Sequence, residues 1–312
     1  MRKNHYYIIA LLFLFTDISL PQSVFSSNIA VITRKNIIPY ETFLNGFNNS
    51  FKKSKISQEK IKEFYFEPNL NIDDLNEKIV SFKPDLIITV GSGALKYALK
   101  QLPDIPIIYS MIINPETIEG IHQKHVSGVS MLASIDDKFV MLKKIIPNVK
   151  SVGAVYNPSE CGKEVRAAIT SAKKVGLELK AVPVPSSKET ITAMDNVMAS
   201  VDAYLLFFDR KVLNQQTFSH LLSLSFRKKI PIIGLSEKYV NLGALFSLDV
   251  EINDISSTVL RCAELIINEG RKCSINKTKS LPWELTVNKK IADKMGIIIP
   301  DYILQRAKFI KE

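Results

Sequence analysis

Cysteine is scarce in this 312-residue chain: Cys161, Cys262 and Cys273 are its three cysteines, and no CxxC pair occurs. That count excludes a disulfide-built scaffold or a four-cysteine metal ribbon and allows at most one bridge. Cys262 falls with Ile255, Val259 and Ile266 on the apolar face of a predicted helix, which points to a buried free thiol. Histidine is nearly as rare. Beyond the N-terminal segment there are His122, His125 and His220, which leaves little for general acid–base work. His122 and His125 form an HxxH, but in a loop context they make a poor metal site. No GxxxxGK[ST] is present, and "GVSML" and "GLSEK" both fail the G-x-S-x-G nucleophile elbow. The chain therefore reads as a non-enzyme that needs neither cofactor nor metal.

Long apolar runs are also missing. The N-terminal run, Tyr6 to Phe15, falls short of the ~20 residues that span a bilayer. Behind Arg2 and Lys3 it fits the hydrophobic region of a secretory signal peptide, with Val24 and Ser26 placed for cleavage after Ser26. Asp17 and Pro21 argue against a retained anchor, and no cysteine near the cleavage point offers a lipid anchor. The expectation is a signal peptide over 1–26 and an exported chain, free in the periplasm. The formal charge is +10, but the basic clusters Phe51–Lys55, Arg227–Lys229 and Arg271–Lys279 are scattered and not interleaved with aromatic residues. A nucleic-acid reader needs one contiguous basic face, so that class is excluded.

What the sequence does have is a steady alternation of short β-branched runs and amphipathic segments from Asn28 to Val250. "IAVIT", "LIITV", "SVGAVYN" and "DAYLLFF" read as strands, with "GALKYALKQL", "GKEVRAAITSAKKVG" and "QQTFSHLLSLSFRKK" among the helices between them. Strands buried on both faces and separated by helices predict an α/β fold with parallel, doubly wound sheets. The string Ile-Pro-Ile-Ile occurs twice, at Ile105–Ile108 and Ile230–Ile233. Each copy follows an Asp-initiated apolar strand (Asp85, Asp202), a loop and a helix, which predicts two similar lobes. After Val250 comes a long helix closed by Gly270, then a polar stretch, "LPWELTVN", and two helical pieces, "KKIADKMG" and "DYILQRAKFIK".

In open α/β sheets ligands bind beyond the carboxyl ends of the strands. The loops there supply Gly91, Ser92, Gly93 and Ala94 at a helix start suited to an anion. They also supply Asn114, Asn157, Ser159, Glu160, Asp209, Arg210, Ser236, Glu237 and Asp249, with Tyr109 and Tyr156 as aromatic contacts. Taken singly, such residues are commonly helix caps and turn formers. Taken jointly, they suit a zwitterionic or polyhydroxylated small molecule.

The stretches "VGSGALKYALKQLPDIPIIYS", "VSGVSM", "MLKKIIPNVKSVGAVYNPSE", "KKVGLEL", "KIPIIGLSEKYVNLGALFSLDV" and "ELTVNKKIADKMGIIIPDYIL" resemble one family throughout. It is the ABC-transporter substrate-binding proteins of the periplasmic-binding, type I-like group, which includes tryptophan-associated members. The resemblance runs from about Asn28 to the C-terminus. It implies two lobes, 27–131 with 251–283 and 132–250 with 284–312, joined by three crossings near Leu132–Asp136, Asp249–Asn253 and Leu281–Leu285, with Trp283 at the third. It further implies a monomer that closes on a small solute and delivers it to the permease and ATPase of an ABC importer. A ligand-sensing domain serving a membrane signalling protein and an exported α/β enzyme are the competing readings. For an amino acid, the expected roles are carboxylate at the Gly91–Ala94 helix start, ammonium at Asp209 or Glu237, and side chain against Tyr109 or Tyr156. Two departures stand out: Asn114-Pro115 replaces an Asp-Pro, and "VEINDISST" lacks the Tyr and Gly common after the tenth strand.

Overall fold

A computed structural model describes residues 27–52, 54, 61–67, 71–270, 273 and 281–311. The expected leader, 1–26, lies outside the described residues. The strands are β1 (Ile29–Thr33), β2 (Ile61–Tyr65), β3 (Leu86–Val90), β4 (Ile107–Ser110), β5 (Val126–Gly128), β6 (Ser151–Tyr156), β7 (Glu178–Pro183), β8 (Ala203–Leu205), β9 (Ile232–Ile233), β10 (Phe246–Asp249), β11 (Glu284–Asn288) and β12 (Phe309–Lys311). They form two sheets, ordered β2-β1-β3-β4-β5 and β12-β11-β10-β9-β8-β6-β7. All pairings are parallel except β10 with β11. The fold is thus two-lobed α/β with doubly wound, parallel-dominated sheets.

The helices are α1 (Ile38–Phe51), α2 (Ile72–Phe82), α3 (Ser92–Gln101), α4 (Ile135–Ile145), α5 (Pro158–Lys174), α6 (Thr190–Val197), α7 (Gln215–Lys228), α8 (Glu237–Leu242), α9 (Ile252–Glu269), α10 (Lys289–Met295) and α11 (Asp301–Leu304). Their starts are written in the sequence. Asn71 accepts from the Asp73 N–H, Ser134 from that of Asp137, and Asn214 and Thr217 form a reciprocal capping box. On the first sheet α1 and α9 cover one face and α2 and α3 the other. On the second, α4, α5, α10 and α11 cover one face, α6 and α7 the other. β1 and β3, buried at every position, need both coverings, which is why they lack polar alternation.

The repeated string marks equivalent places. Counted from the β2 and β7 edges, β4 and β9 are both fourth in their sheets. The carbonyl of Pro106 accepts from the Ile87 N–H and that of Pro231 from the Tyr204 N–H, each at 2.9 Å. Asp85 accepts from the backbone N–H of Asn28 (2.8 Å), and Asp202 from those of Lys150 and Ser151 (2.9 and 2.8 Å), just ahead of β1 and β6. Each acid pins the start of its neighbouring strand, so the two copies are one structural unit used twice.

The chain passes between the sheets three times. Leu132, on the first passage, bridges antiparallel to Asp249 at the second. α9 then returns to the first sheet and packs its Ile255, Val259 and Cys262 beside Phe43 and Phe47 of α1. Leu281 joins that same core before the chain enters β11. Lys308 pairs with Glu251 at 2.8 Å and also with Glu284, so the tail ties the second passage to the third. Trp283 packs on the second core with the Arg306 guanidinium 5.3 Å from its ring centre.

Two expectations are corrected. Cys262 is bonded to Cys273 and is not a free thiol; only Cys161 is free, and it is buried. The apolar helix face was read correctly, but a partner in the polar segment beyond Gly270 leaves no periodic signal. The last piece, "DYILQRAKFIK", is helical only over Asp301–Leu304, because Phe309–Lys311 adds an edge strand beside β11.

Denatured, unreduced protein should show one titratable thiol, and reduced protein three. For a loop closed across 11 residues, reduction should cost about 3 kcal/mol and lower Tm by on the order of 5 °C. A thiol assay and a thermal melt with and without dithiothreitol check both.

Candidate functional site

Parallel strands point their carboxyl ends one way, and the two sheets turn these edges toward each other across a cleft. A cavity of ≈680 Å³ lies there. The first lobe lines it with Tyr109, Ile113, Pro115 and Glu116; the first passage adds Ser130 and Leu132 to Lys138. From the second lobe come Glu164, Ala167, Leu206 to Phe208 and Leu235, and Leu281 closes the hinge side. The walls are chiefly apolar and aromatic, with a few charged groups among them. That is the usual make-up of a site for a small molecule with an apolar body.

Tyr109 is placed by a glycine. It pairs in register with Gly128, and a Cβ at Gly128 would run into its ring. The ring therefore lies down on bare backbone, and burial pushes its hydroxyl up to about 12. Lys138 is 1 % exposed, yet it lines the cavity. Burial lowers its ammonium to about 8, against the opposing pull of Asp249 and Glu164. Glu164, on the neighbouring α5, is raised to about 7, first by burial and then by Glu116.

The lobes also touch directly on one side of the cleft. Asn114 Nδ2 donates to the Glu160 carbonyl at 2.7 Å. Lys163 Nζ lies 3.0 Å from Glu116 and 2.7 Å from His122 Nε2. These groups are largely solvated, so the ion pair itself adds little energy. His122 thus sits in an ion-pair cluster, while the HxxH partner His125 has a buried Nε2 without a hydrogen bond.

Of the fifteen residues singled out from sequence, Tyr109 lines the cavity. Several others are spent on local structure. Asp209, 2 % exposed, accepts the backbone N–H groups of Asn157, Lys211 and Val212 at 2.6, 2.9 and 3.0 Å. Expected to take an ammonium, it is instead the staple of the loop after β8. Asn157 caps α5 and donates to the carbonyls of Val184 and Pro185. Ser159 donates to Asn157 and accepts from Lys211, and Arg210 faces Glu160 at 3.6 Å. Asp249 accepts from Ser247 and from the Glu237 N–H; Ser236 precedes α8 without making a side-chain cap bond. Tyr156 packs on the second core. Gly91 has φ +90° with Tyr40 against its Cα, and the Gly91–Ala94 helix start lies outside the cavity lining.

Sequence reasoning missed Lys138 and Glu164. A signal existed: Lys138, Met141, Leu142 and Ile145 recur at helical spacing, so the lysine sits on a buried face. Buried without hydrogen-bond partners at the ends of strands are also the hydroxyls of Thr33, Thr89 and Ser110.

Residues 36–311 match the family described as ABC transporter substrate binding protein. The chain belongs to that family. It is a family of solute-binding proteins that work outside the cytoplasm. A "Tyrosine-binding protein" of Clostridioides difficile (strain R20291) is 26% identical over 229 residues, 65% of this chain and 66% of the relative. The chain thus matches just under two thirds of that relative's length. In fold it is similar to the ligand-free, open structure of a substrate binding protein with adhesive properties from Clostridium difficile (TM-score 0.66, 20% identity, 91% of this chain and 99% of that one). It is also similar to an ABC domain in complex with L-Trp from Streptococcus pneumonia (TM-score 0.58, 20% identity, 91% and 99% covered).

Two outcomes follow from the geometry. Asp209→Ala should lose on the order of 3 kcal/mol of stability in urea melts, since two buried N–H groups and a part-buried third lose their acceptor. Glu164 binds its proton more tightly folded than unfolded. Its contribution is therefore intact below pH 4.5 and is lost as pH rises from there to about 7, by about 3 kcal/mol. Wild-type protein should weaken across pH 5 to 7 more than Glu164→Gln does, as measured by ligand-free denaturation.

Proposed function

We propose that this protein is a periplasmic solute receptor that captures an aromatic amino acid, or a close relative of one, and delivers it to an ABC importer by closing two lobes. The observation that carries this reading is the ≈680 Å³ cavity between the two lobes, with Tyr109, Phe207 and Phe208 in its walls and the charged side chains of Glu116, Asp136, Asp137, Lys138 and Glu164 among them. Family membership and the tyrosine- and tryptophan-binding relatives support it. The lobes are 27–131 with 251–283 and 132–250 with 284–312, and the three passages between them form the hinge.

Ligand shifts the open–closed equilibrium only as far as it binds the closed form better, so contacts from both lobes are the physical requirement. Tyr109 and Glu116 on one lobe and Phe207, Phe208, Lys138 and Glu164 on the other meet that requirement. The Asn114–Glu160 hydrogen bond closes one side. The receptor acts without chemical turnover and as a monomer, exported behind a signal peptide and partnered by a permease and an ATPase.

The test is a thermal-shift and calorimetric titration of the mature protein with L-tyrosine, L-tryptophan and L-phenylalanine, against ribose and nucleosides as contrasts. An aromatic amino acid should bind with Kd of order micromolar, about −8 kcal/mol. At a hundredfold excess over Kd it should stabilise the fold by about 2.7 kcal/mol. Saturable binding of a sugar with none of the amino acids would overturn the ligand assignment.

A further inference from the structure

The side chain that calls for an explanation is Lys138. The residue is 1 % exposed, lines the cavity, and among the described residues forms no hydrogen bond or ion pair. A buried cation without a partner is costly, and replacing one with an apolar residue usually stabilises a protein. Lys138 therefore does not serve the fold. The acids that could neutralise it are otherwise engaged or weakly charged. Asp249 holds the Ser247 hydroxyl and the Glu237 N–H, and Glu164 is itself raised to about 7. Glu164 lines the same cavity from α5, the helix packed beside α4.

We propose that Lys138 and Glu164 form the charge-reading subsite of the cavity, Lys138 taking the α-carboxylate of the ligand and Glu164 its α-ammonium. The assignment rests on the amino-acid receptor reading above and deepens it. A zwitterion completes what each group lacks: an anion for the unpaired ammonium, and a cation that draws Glu164 into its ionised form. It also moves recognition of the charged end away from the Gly91–Ala94 helix start and the loop of Asp209 to α4 and α5 of the second lobe. The apolar and aromatic walls remain for the side chain.

The experiment titrates wild type, Lys138→Met and Glu164→Gln with L-tyrosine, tyramine (no carboxylate) and 3-(4-hydroxyphenyl)propanoate (no ammonium). Wild type should prefer L-tyrosine to either analogue by at least tenfold. In Lys138→Met, L-tyrosine should weaken at least tenfold and its advantage over tyramine fall below threefold, while the ligand-free protein melts at the same or a higher temperature. Glu164→Gln should lose the advantage over the propanoate instead. If Lys138→Met melts lower and binds L-tyrosine as wild type does, or if both variants weaken all three ligands alike, the subsite assignment is overturned. If wild type binds none of the three while another solute binds, the amino-acid reading itself falls and takes this subsite with it.

Discussion

A parallel strand can be followed by its parallel neighbour only if the chain first travels back across the sheet, and a helix is the economical way to do it. Every strand end that leads forward then opens at the same edge. This constraint governs the molecule. β1, β3 and β4 in one lobe, and β6, β8 and β9 in the other, deliver their outgoing loops to two edges that confront each other. Between such edges a cleft is an outcome of topology, whatever side chains line it. The duplicated Asp staple and proline carbonyl show that the same solution was used twice within one chain.

Within that cleft the polar groups divide by how completely they are satisfied. Loop residues such as Asn157 and Asp209 are buried and saturated, holding backbone N–H groups and carbonyls. Lys138 is buried with neither a hydrogen bond nor an ion pair among the described residues, and Glu164 is half-buried beside it, with the ionisation of both displaced toward neutrality. The first kind rigidifies an edge; the second leaves interaction free energy available to whatever enters. Distinguishing them takes the count of hydrogen bonds made, not the residue type.

That distinction also explains what the sequence could and could not disclose. Runs such as "LIITV", Asn and Ser before helices, and the paired Ile-Pro-Ile-Ile strings carry their information locally, and the architecture was legible from them. The cavity was not. Asp209 and Lys138 are each an ordinary charged residue in a polar or amphipathic stretch, and which one is consumed depends on a loop 52 residues away or on the helix packed alongside. The Cys262–Cys273 bond escaped for a similar reason, since its second member lies in a segment without periodicity. The β12 strand is defined only by pairing with β11.

Gly128 shows how little material sets the shape of such a chamber. Tyr109 reclines on the edge strand because no side chain stands beneath it. A single methyl there would lift the phenol like a wedge under a door and shrink the space beside it. The breadth of the compartment beside Tyr109 thus depends on an atom the edge strand omits.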